Sequence, residues 1–178
     1  MRTVRLNHYK NYKINYDLIN KIVFNSIFKI IKITKIILNM GQKDCKKEKI
    51  LSVILTLELL TSQKGVLVQS KKNIISLKIK KGAIVGCKVT LRKKNVFLFL
   101  EKLVLFYFPK MKDFKGFQIN QENFSFSVNN LLNFFELEDK FSQFSQLPKL
   151  DIVFVLKNSN PDRTRILLNS FNFPVAKN

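Results

Sequence analysis

Residues 82–92 read Gly-Ala-Ile-Val-Gly-Cys-Lys-Val-Thr-Leu-Arg, and two glycines followed by lysine and threonine raise the question of phosphate chemistry. A phosphate-cradling nucleotide loop needs glycine, four residues, then Gly-Lys-Ser/Thr, because consecutive backbone N–H groups must wrap the phosphates before a helix opens. Here three residues separate Gly82 from Gly86, Cys87 stands before Lys88, and Val89 divides Lys88 from Thr90. The surrounding β-branched residues continue a strand instead of opening a helix. On a strand, Lys88, Thr90 and Arg92 alternate with Cys87, Val89 and Leu91, which makes one face polar and cationic and the other apolar. Such a sheet, with one face on a helical core and the other wet and basic, suits a nucleic-acid backbone. An ordinary solvated lysine face has the same spacing, so the strand alone leaves both readings open.

Other chemistry finds no residues to carry it. There is no Gly-x-Ser-x-Gly, no His-Glu-x-x-His and no recognisable carboxylate pair, and His8 is the only histidine. A tetrahedral zinc site needs about four ligands, whereas Cys45 and Cys87 stand alone without a Cys-x-x-Cys. Buried, reduced thiols are expected, and no catalytic residue, metal or cofactor. Glu101 and Lys102 read as a helix surface pair. The stretch FKGFQI (114–119) begins like the aromatic motif of RNA-binding sheets but departs from it at Gln118.

The charge selects the class of partner. The 178 residues carry a net charge of +20, far beyond what solubility requires, so a polyanion is expected, nucleic acid before an anionic membrane surface. Residues 1–115 hold 26 Lys and Arg against 6 Asp and Glu, while 116–178 hold 6 of each, so the contact should draw on the first two thirds. The longest apolar run, 96–108, is interrupted by Glu101-Lys102 and is shorter than the roughly 20 residues of a spanning helix. No secretory leader is visible at the start. A soluble protein of one domain is expected, with a basic membrane-surface or non-specific nucleic-acid-binding protein as the alternative. Phe, Ile, Asn and Lys are abundant and alanine occurs only at Ala83 and Ala176, a bias typical of AT-rich, organellar coding sequences.

The elements that must position these residues follow from periodicity. Residues 16–28 place Leu18, Ile19, Ile22, Val23 and Ile27 at helical spacing, and 29–41 read as a strand closed by Gly41. Residues 45–63 form an amphipathic helix with Ile50, Leu51, Ile54, Leu57 and Leu60 on one side. GVLVQS (65–70) and ISLKIKK (75–81) read as short strands flanking a basic turn at Lys71-Lys72-Asn73, followed by the strand at 82–92. Residues 95–108 then form a nearly all-apolar interior helix ended by Pro109. FSFSV (124–128) and LDIVFVLK (150–157) read as strands, the second a central one. A last helix opens with Asn160 as N-cap, Pro161 at its first position and Asp162 in its first turn. The segments 112–121 and 138–149 are expected to be the flexible parts. This order predicts an α+β fold, a mixed, mostly antiparallel sheet with helices packed on one face, in the manner of RRM or ferredoxin-like sandwiches.

QKGVLVQSKKNIISLKIKKGAIVGCKVTLR (63–92) resembles, without a gap, the central segment of the bacterial-type L-five family of large-subunit ribosomal proteins. HYKNY near the start, ITKIILNMG, FPKMKDFKGF, LDIVFV and LLNSFNFP match further family motifs in order, from His8 to Pro174. The resemblance implies one RNA-binding domain over 1–178, with an N-terminal helical part at about 8–62 and a sheet-and-helix part at about 63–175. It implies a non-catalytic constituent of the central protuberance that binds 5S rRNA and large-subunit rRNA. P-site tRNA, neighbouring large-subunit proteins and a protein of the small-subunit head are the other implied partners, and no membrane.

By position, the resemblance assigns Asn39, Gln63, Lys64, Lys88, Thr90 and Arg92 to 5S rRNA, and the loop at Lys71, Lys72, Asn73 and Ile74 to the tRNA side. Amide and hydroxyl groups can bond phosphate, 2′-hydroxyl or base edges, and arginine can fork onto phosphate. Asn39 could instead shape a strand end, and Gln63 could close a helix. Three stretches depart from the family: its glycine-rich loop appears as NQENFSF (120–126), its Phe-Pro-Glu as Phe134-Phe135-Glu136, and its tRNA-side Gly-Phe as Ser76-Leu77. With the composition, this drift points to an organellar ribosome, mitochondrial rather than plastid, with a bacterial ribosome as a further alternative.

Overall fold

The stretch around Gly86 is a strand. In the computed structural model, which describes residues 5–22, 26–42, 47–111, 116–119, 123–140, 144 and 147–176, it is β3 (Ile84–Arg92). The other strands are β1 (Lys32–Gly41), β2 (Val66–Gln69), β4 (Phe124–Val128) and β5 (Leu150–Lys157). They hydrogen-bond in the order β2-β3-β1-β5-β4, an antiparallel sheet in a mixed α+β fold of the expected ferredoxin-like kind. β5 lies between β1 and β4, in agreement with its reading as an internal strand. β2 and β3 are antiparallel, with Val66 opposite Lys88, Leu67 opposite Cys87 and Val68 opposite Gly86, and an irregularity between Val68 and Gln69.

The chain divides into two compact units: one comprises Met1–Ile36, Arg92–Phe124 and Phe154–Asn178, the other Ile37–Leu91 and Ser125–Val153. In the second, α3 (Lys47–Thr61) buries Ile50, Val53, Leu57 and Leu60, the i, i+3, i+4 spacing of an amphipathic helix. Leu51, expected on that face, is 56% exposed, because Val53 and not Leu51 completes the stripe. Gly86 sets the distance from β3 to β1. A Cβ there would run into the Met40 carbonyl oxygen and stand 3.1 Å from Gly41 Cα. The glycine marks a close backbone approach.

In the first unit the chain begins with α1 (Arg5–Tyr9), a π-helical turn (Lys10–Ile14) and α2 (Asn15–Lys21). The helix therefore ends earlier than the predicted 16–28. Ile22 is already extended at φ −131°, and Val23 lies outside the described residues. Ile14 and Leu18 are the residues it buries, four apart, while Ile19 is turned out. After β3 come α4 (Lys94–Lys102), a π-helical turn (Leu103–Tyr107) and a 3-10 turn (Phe108–Lys110). Pro109 is thus the second residue of the 3-10 turn, early enough that its missing N–H costs little. This segment is not wholly interior as predicted: Leu98, Leu105 and Phe106 are exposed while Phe97, Phe99, Leu100 and Leu103 are buried.

The core of this unit is aromatic. Phe124 and Phe154 stand 5.5 Å apart, and Phe173 lies 5.7 Å from Phe154 and 5.0 Å from Phe108, largely edge-to-face. That geometry sets the positive edge of one ring against the negative face of the next. Helix α5 (Pro161–Ser170) starts where Asn160, Pro161 and Asp162 predicted. Asn160 caps it through the backbone, its carbonyl accepting the Thr164 N–H at 2.8 Å, and its side chain makes no cap bond. Half of the segments expected to be flexible, 112–115, 120–121, 141–143 and 145–146, lies outside the described residues, as does Cys45.

Candidate nucleic-acid interface

β3 alternates as its sequence requires. Cys87, Val89 and Leu91 are buried, Lys88 and Arg92 are exposed and Thr90 is half-buried. On β1 the same alternation buries Leu38 and Met40 and exposes Asn39. The alternation therefore gives Asn39, Lys88 and Thr90 to the outward-facing positions of neighbouring strands.

Gln63 reaches β3 by a specific local path. Thr61 ends α3 with its hydroxyl donating to the Leu57 carbonyl at 2.6 Å, and its oxygen also accepts the Gln63 N–H at 3.3 Å. Ser62 between them takes a left-handed φ of 53°, which reverses the chain out of the helix. The Gln63 side chain then donates from Nε2 to the Thr90 carbonyl at 3.3 Å. Gln63 is half-buried and tied to β3, and its amide retains further donor and acceptor capacity. Lys64 follows it, exposed, and leads into β2. Asn39, Gln63, Lys64, Lys88 and Thr90 all belong to the Ile37–Leu91 unit, whereas Arg92, the last residue of β3, begins a segment of the other unit.

The loop after β2 departs from the sequence reading. Residues 75–81 do not form a strand: Ile75–Leu77 is a 3-10 turn closed by Lys78 at φ 55°. Ile74 and Ile79 exchange both backbone hydrogen bonds, at 2.9 and 3.1 Å, so the segment pairs with itself and needs no neighbouring strand. Below that pair Asn73 Oδ1 accepts the Lys81 N–H at 2.6 Å, and the Ser70 hydroxyl donates to the Lys72 carbonyl at 2.7 Å. Gly82, at φ +84°, completes the closure with its N–H on the Ser70 carbonyl. Lys71, Lys72, Asn73 and Ile74 are all exposed on this closed loop. Ile75 at its tip is 92% exposed, a residue that strand periodicity misplaces; its signal was an apolar pair set among lysines.

Cys87 is no nucleophile. The Cys87 thiol is fully buried, and that burial, reinforced by the Glu58 carboxylate, pushes its pKa up despite the opposing Lys88 backbone N–H. A protonated, enclosed thiol is inert. Among the described residues, no group of three His, Cys, Asp or Glu side chains could hold a metal ion, and no helix is long and apolar enough to cross a membrane.

A wet, cationic sheet face with amide and hydroxyl groups has the composition of surfaces that meet a polyanion. Comparison with known proteins narrows the class. The model of the ribosomal L5 family C-terminus matches residues 84–175. The chain is 36% identical over 176 residues to large ribosomal subunit protein uL5m of Reclinomonas americana, covering 96% of each. It is 32% identical over 181 residues to large ribosomal subunit protein uL5 of Buchnera aphidicola, covering 98% of this chain and 99% of that one. Against the uL5 of Wolbachia pipientis the identity is 33% over 165 residues, with 89% and 92% covered. The chain belongs to the ribosomal L5 family, bacterial and organellar type, and is not an enzyme.

Proposed function

We propose that this chain is a structural constituent of the large ribosomal subunit that binds 5S rRNA through the outward residues of β3 and its neighbours. The observation that carries the reading is the alternation on β3: Lys88, Thr90 and Arg92 face out while Cys87, Val89 and Leu91 are buried. Lys88 and Arg92 neutralise phosphates, whereas Asn39, Thr90 and the remaining capacity of the Gln63 amide bond 2′-hydroxyls or base edges. Lys64 adds charge at the strand entry. The closed loop carrying Lys71, Lys72, Asn73 and Ile74 faces the P-site tRNA, its geometry held by its own hydrogen bonds. In the subunit the protein lies in the central protuberance against large-subunit rRNA, neighbouring proteins and a protein of the small-subunit head. The ribosome is mitochondrial, a reading supported by the composition and by the similarity to a uL5m.

Filter binding to 5S rRNA across salt concentrations tests the central claim. Affinity should fall steeply with salt, by roughly one unit of log–log slope per phosphate neutralised. A flat salt response, or no preference over an unrelated RNA of equal length, would remove the reading. Co-sedimentation with the mitochondrial large subunit after a high-salt wash tests the location.

A further inference from the structure

Three of the chain's four tyrosines lie on the first helical run, and all three are exposed. Tyr9, Tyr12, Tyr16 and Ile19 are spaced three, four and three apart through the π-helical turn, and Tyr12 and Tyr16 are 64% and 65% exposed. That spacing brings residues to one side of a helix. Ile14 and Leu18 make the buried side, and Lys10 is also drawn inward, its Nζ 5.3 Å from the centre of the Phe97 ring. The rings of Tyr12 and Tyr16 thus lie largely outside the core. Large exposed rings in a row mark a surface that meets a partner.

Charge identifies the partner's chemistry. Arg5, Lys13 and Lys21 are exposed on this run, and Asp17 is its sole acidic residue. Lys13 Nζ stands 5.8 Å from the Tyr9 ring, and His8 stacks on Tyr12 at 4.3 Å with an interplanar angle of 24°. Beside them opens a groove of about 620 Å³, with Arg5, His8, Tyr9, Glu101, Leu105 and Phe171 among its walls. Cations interleaved with flat rings are the composition of surfaces that hold unpaired nucleotides, rings under bases and cations on phosphates. A protein partner would need an acidic face, and a bilayer would need apolar anchors deeper than hydroxyl-bearing rings.

We infer that this face is a second RNA-contacting surface, in the unit that does not contain Lys88, which takes unpaired ribosomal RNA nucleotides by stacking on Tyr12 and Tyr16. Arg5 and Lys13 hold the adjoining phosphates. The inference rests on the ribosomal reading proposed above, but it involves other residues and can fail separately.

The chain has no tryptophan, and its fourth tyrosine, Tyr107, is buried, so intrinsic tyrosine emission reports largely on this face. The full chain is titrated with a fluorescently labelled single-stranded oligoadenylate, following label anisotropy and, with unlabelled strand, tyrosine emission; 5S rRNA binding is measured in parallel. The expected result is saturable quenching, a loss of affinity for the oligonucleotide of about tenfold or more in Tyr12→Ala/Tyr16→Ala, and near-retention in Tyr12→Phe/Tyr16→Phe, which keeps the rings. Both pairs are exposed, and circular dichroism melts should match the parent. Absent quenching, or equal affinity in the alanine pair and the parent, overturns the inference. If 5S rRNA still binds in that case, the ribosomal reading stands without it. If neither RNA binds, both fall together.

Discussion

The outward strip of β3 and the aromatic cluster of the other unit are built on opposite principles. Phe124, Phe154 and Phe173 are almost wholly enclosed and touch one another at set angles, so each ring is specified by the others. Lys88, Thr90 and Arg92 are specified mainly by phase: Lys88 and Arg92 are exposed, Thr90 is half-buried, and the burial of Cys87, Val89 and Leu91 decides that they point out. The first arrangement tolerates little change of volume, while the second tolerates almost any polar side chain as far as folding is concerned. Stability and RNA affinity should therefore separate between the two regions.

The largest effect is expected in the cluster. Phe154→Ala removes a fully buried ring that lies within 6 Å of two others and should cost about 3–5 kcal/mol in urea unfolding. A loss below about 1 kcal/mol, within the range of surface substitutions, would mean that the cluster does not organise its unit. Gly86→Ala comes next and cuts across the comparison, because it lies on the strand that we assign to RNA yet should behave as a core change. Its new Cβ would collide with the Met40 carbonyl, a backbone atom that cannot swing aside, so about 2–3 kcal/mol of stability should be lost by overpacking. If Gly86→Ala melts like the parent, β3 and β1 are free to move apart and the strip is less rigid than its contacts imply.

Lys88→Ala with Arg92→Ala should reverse the pattern. Thermal unfolding should shift by no more than that of an ordinary surface change, about 0.5 kcal/mol per site. The log–log salt slope for 5S rRNA should flatten by about one for each phosphate contact removed. An unchanged slope with unchanged stability would move the RNA contact off β3 and leave the strip as a solvated lysine face.

How much of this was legible in the sequence follows the same division. Strand β3, strand β5 and the start of α5 were readable, because alternation of apolar residues between paired neighbours, or a Pro-Asp opening, is a local signal. The segment 75–81 misled because alternation shows that a strand is possible, not that a neighbour exists. Its Ile74–Ile79 pair closes the chain on itself instead. Around residues 95–108 nearly every side chain is apolar, so the sequence carries no phase, and only tertiary contacts decide that Leu98 and Leu105 face out while Leu100 and Leu103 face in. The first helix shows the same limit: Leu18 and Ile19 are adjacent and equally apolar, yet only Leu18 is buried. At the candidate site, Lys88, Thr90 and Arg92 were legible from phase. The bond from Gln63 to Thr90 was not, since it joins positions 27 residues apart.

That bond supplies the smallest and most discriminating test. Gln63 stands on both sides of the comparison, fixed to β3 by Nε2 and placed beside residues that we assign to RNA. Gln63→Ala should cost about 1 kcal/mol or less of stability, the usual net value of one neutral hydrogen bond, here a long one at 3.3 Å. Combined with Thr90→Ala, which leaves the Thr90 carbonyl in place, it should weaken 5S rRNA binding by a few kcal/mol at most while preserving the folded circular dichroism spectrum. The Gln63→Glu variant separates the two roles. A carboxylate cannot donate to the Thr90 carbonyl and repels phosphate, so RNA affinity should drop further than in Gln63→Ala, with comparable stability. Equal RNA affinity in the alanine and glutamate variants would show that no phosphate approaches Gln63, and would reduce it to the clasp that holds the end of α3 against β3.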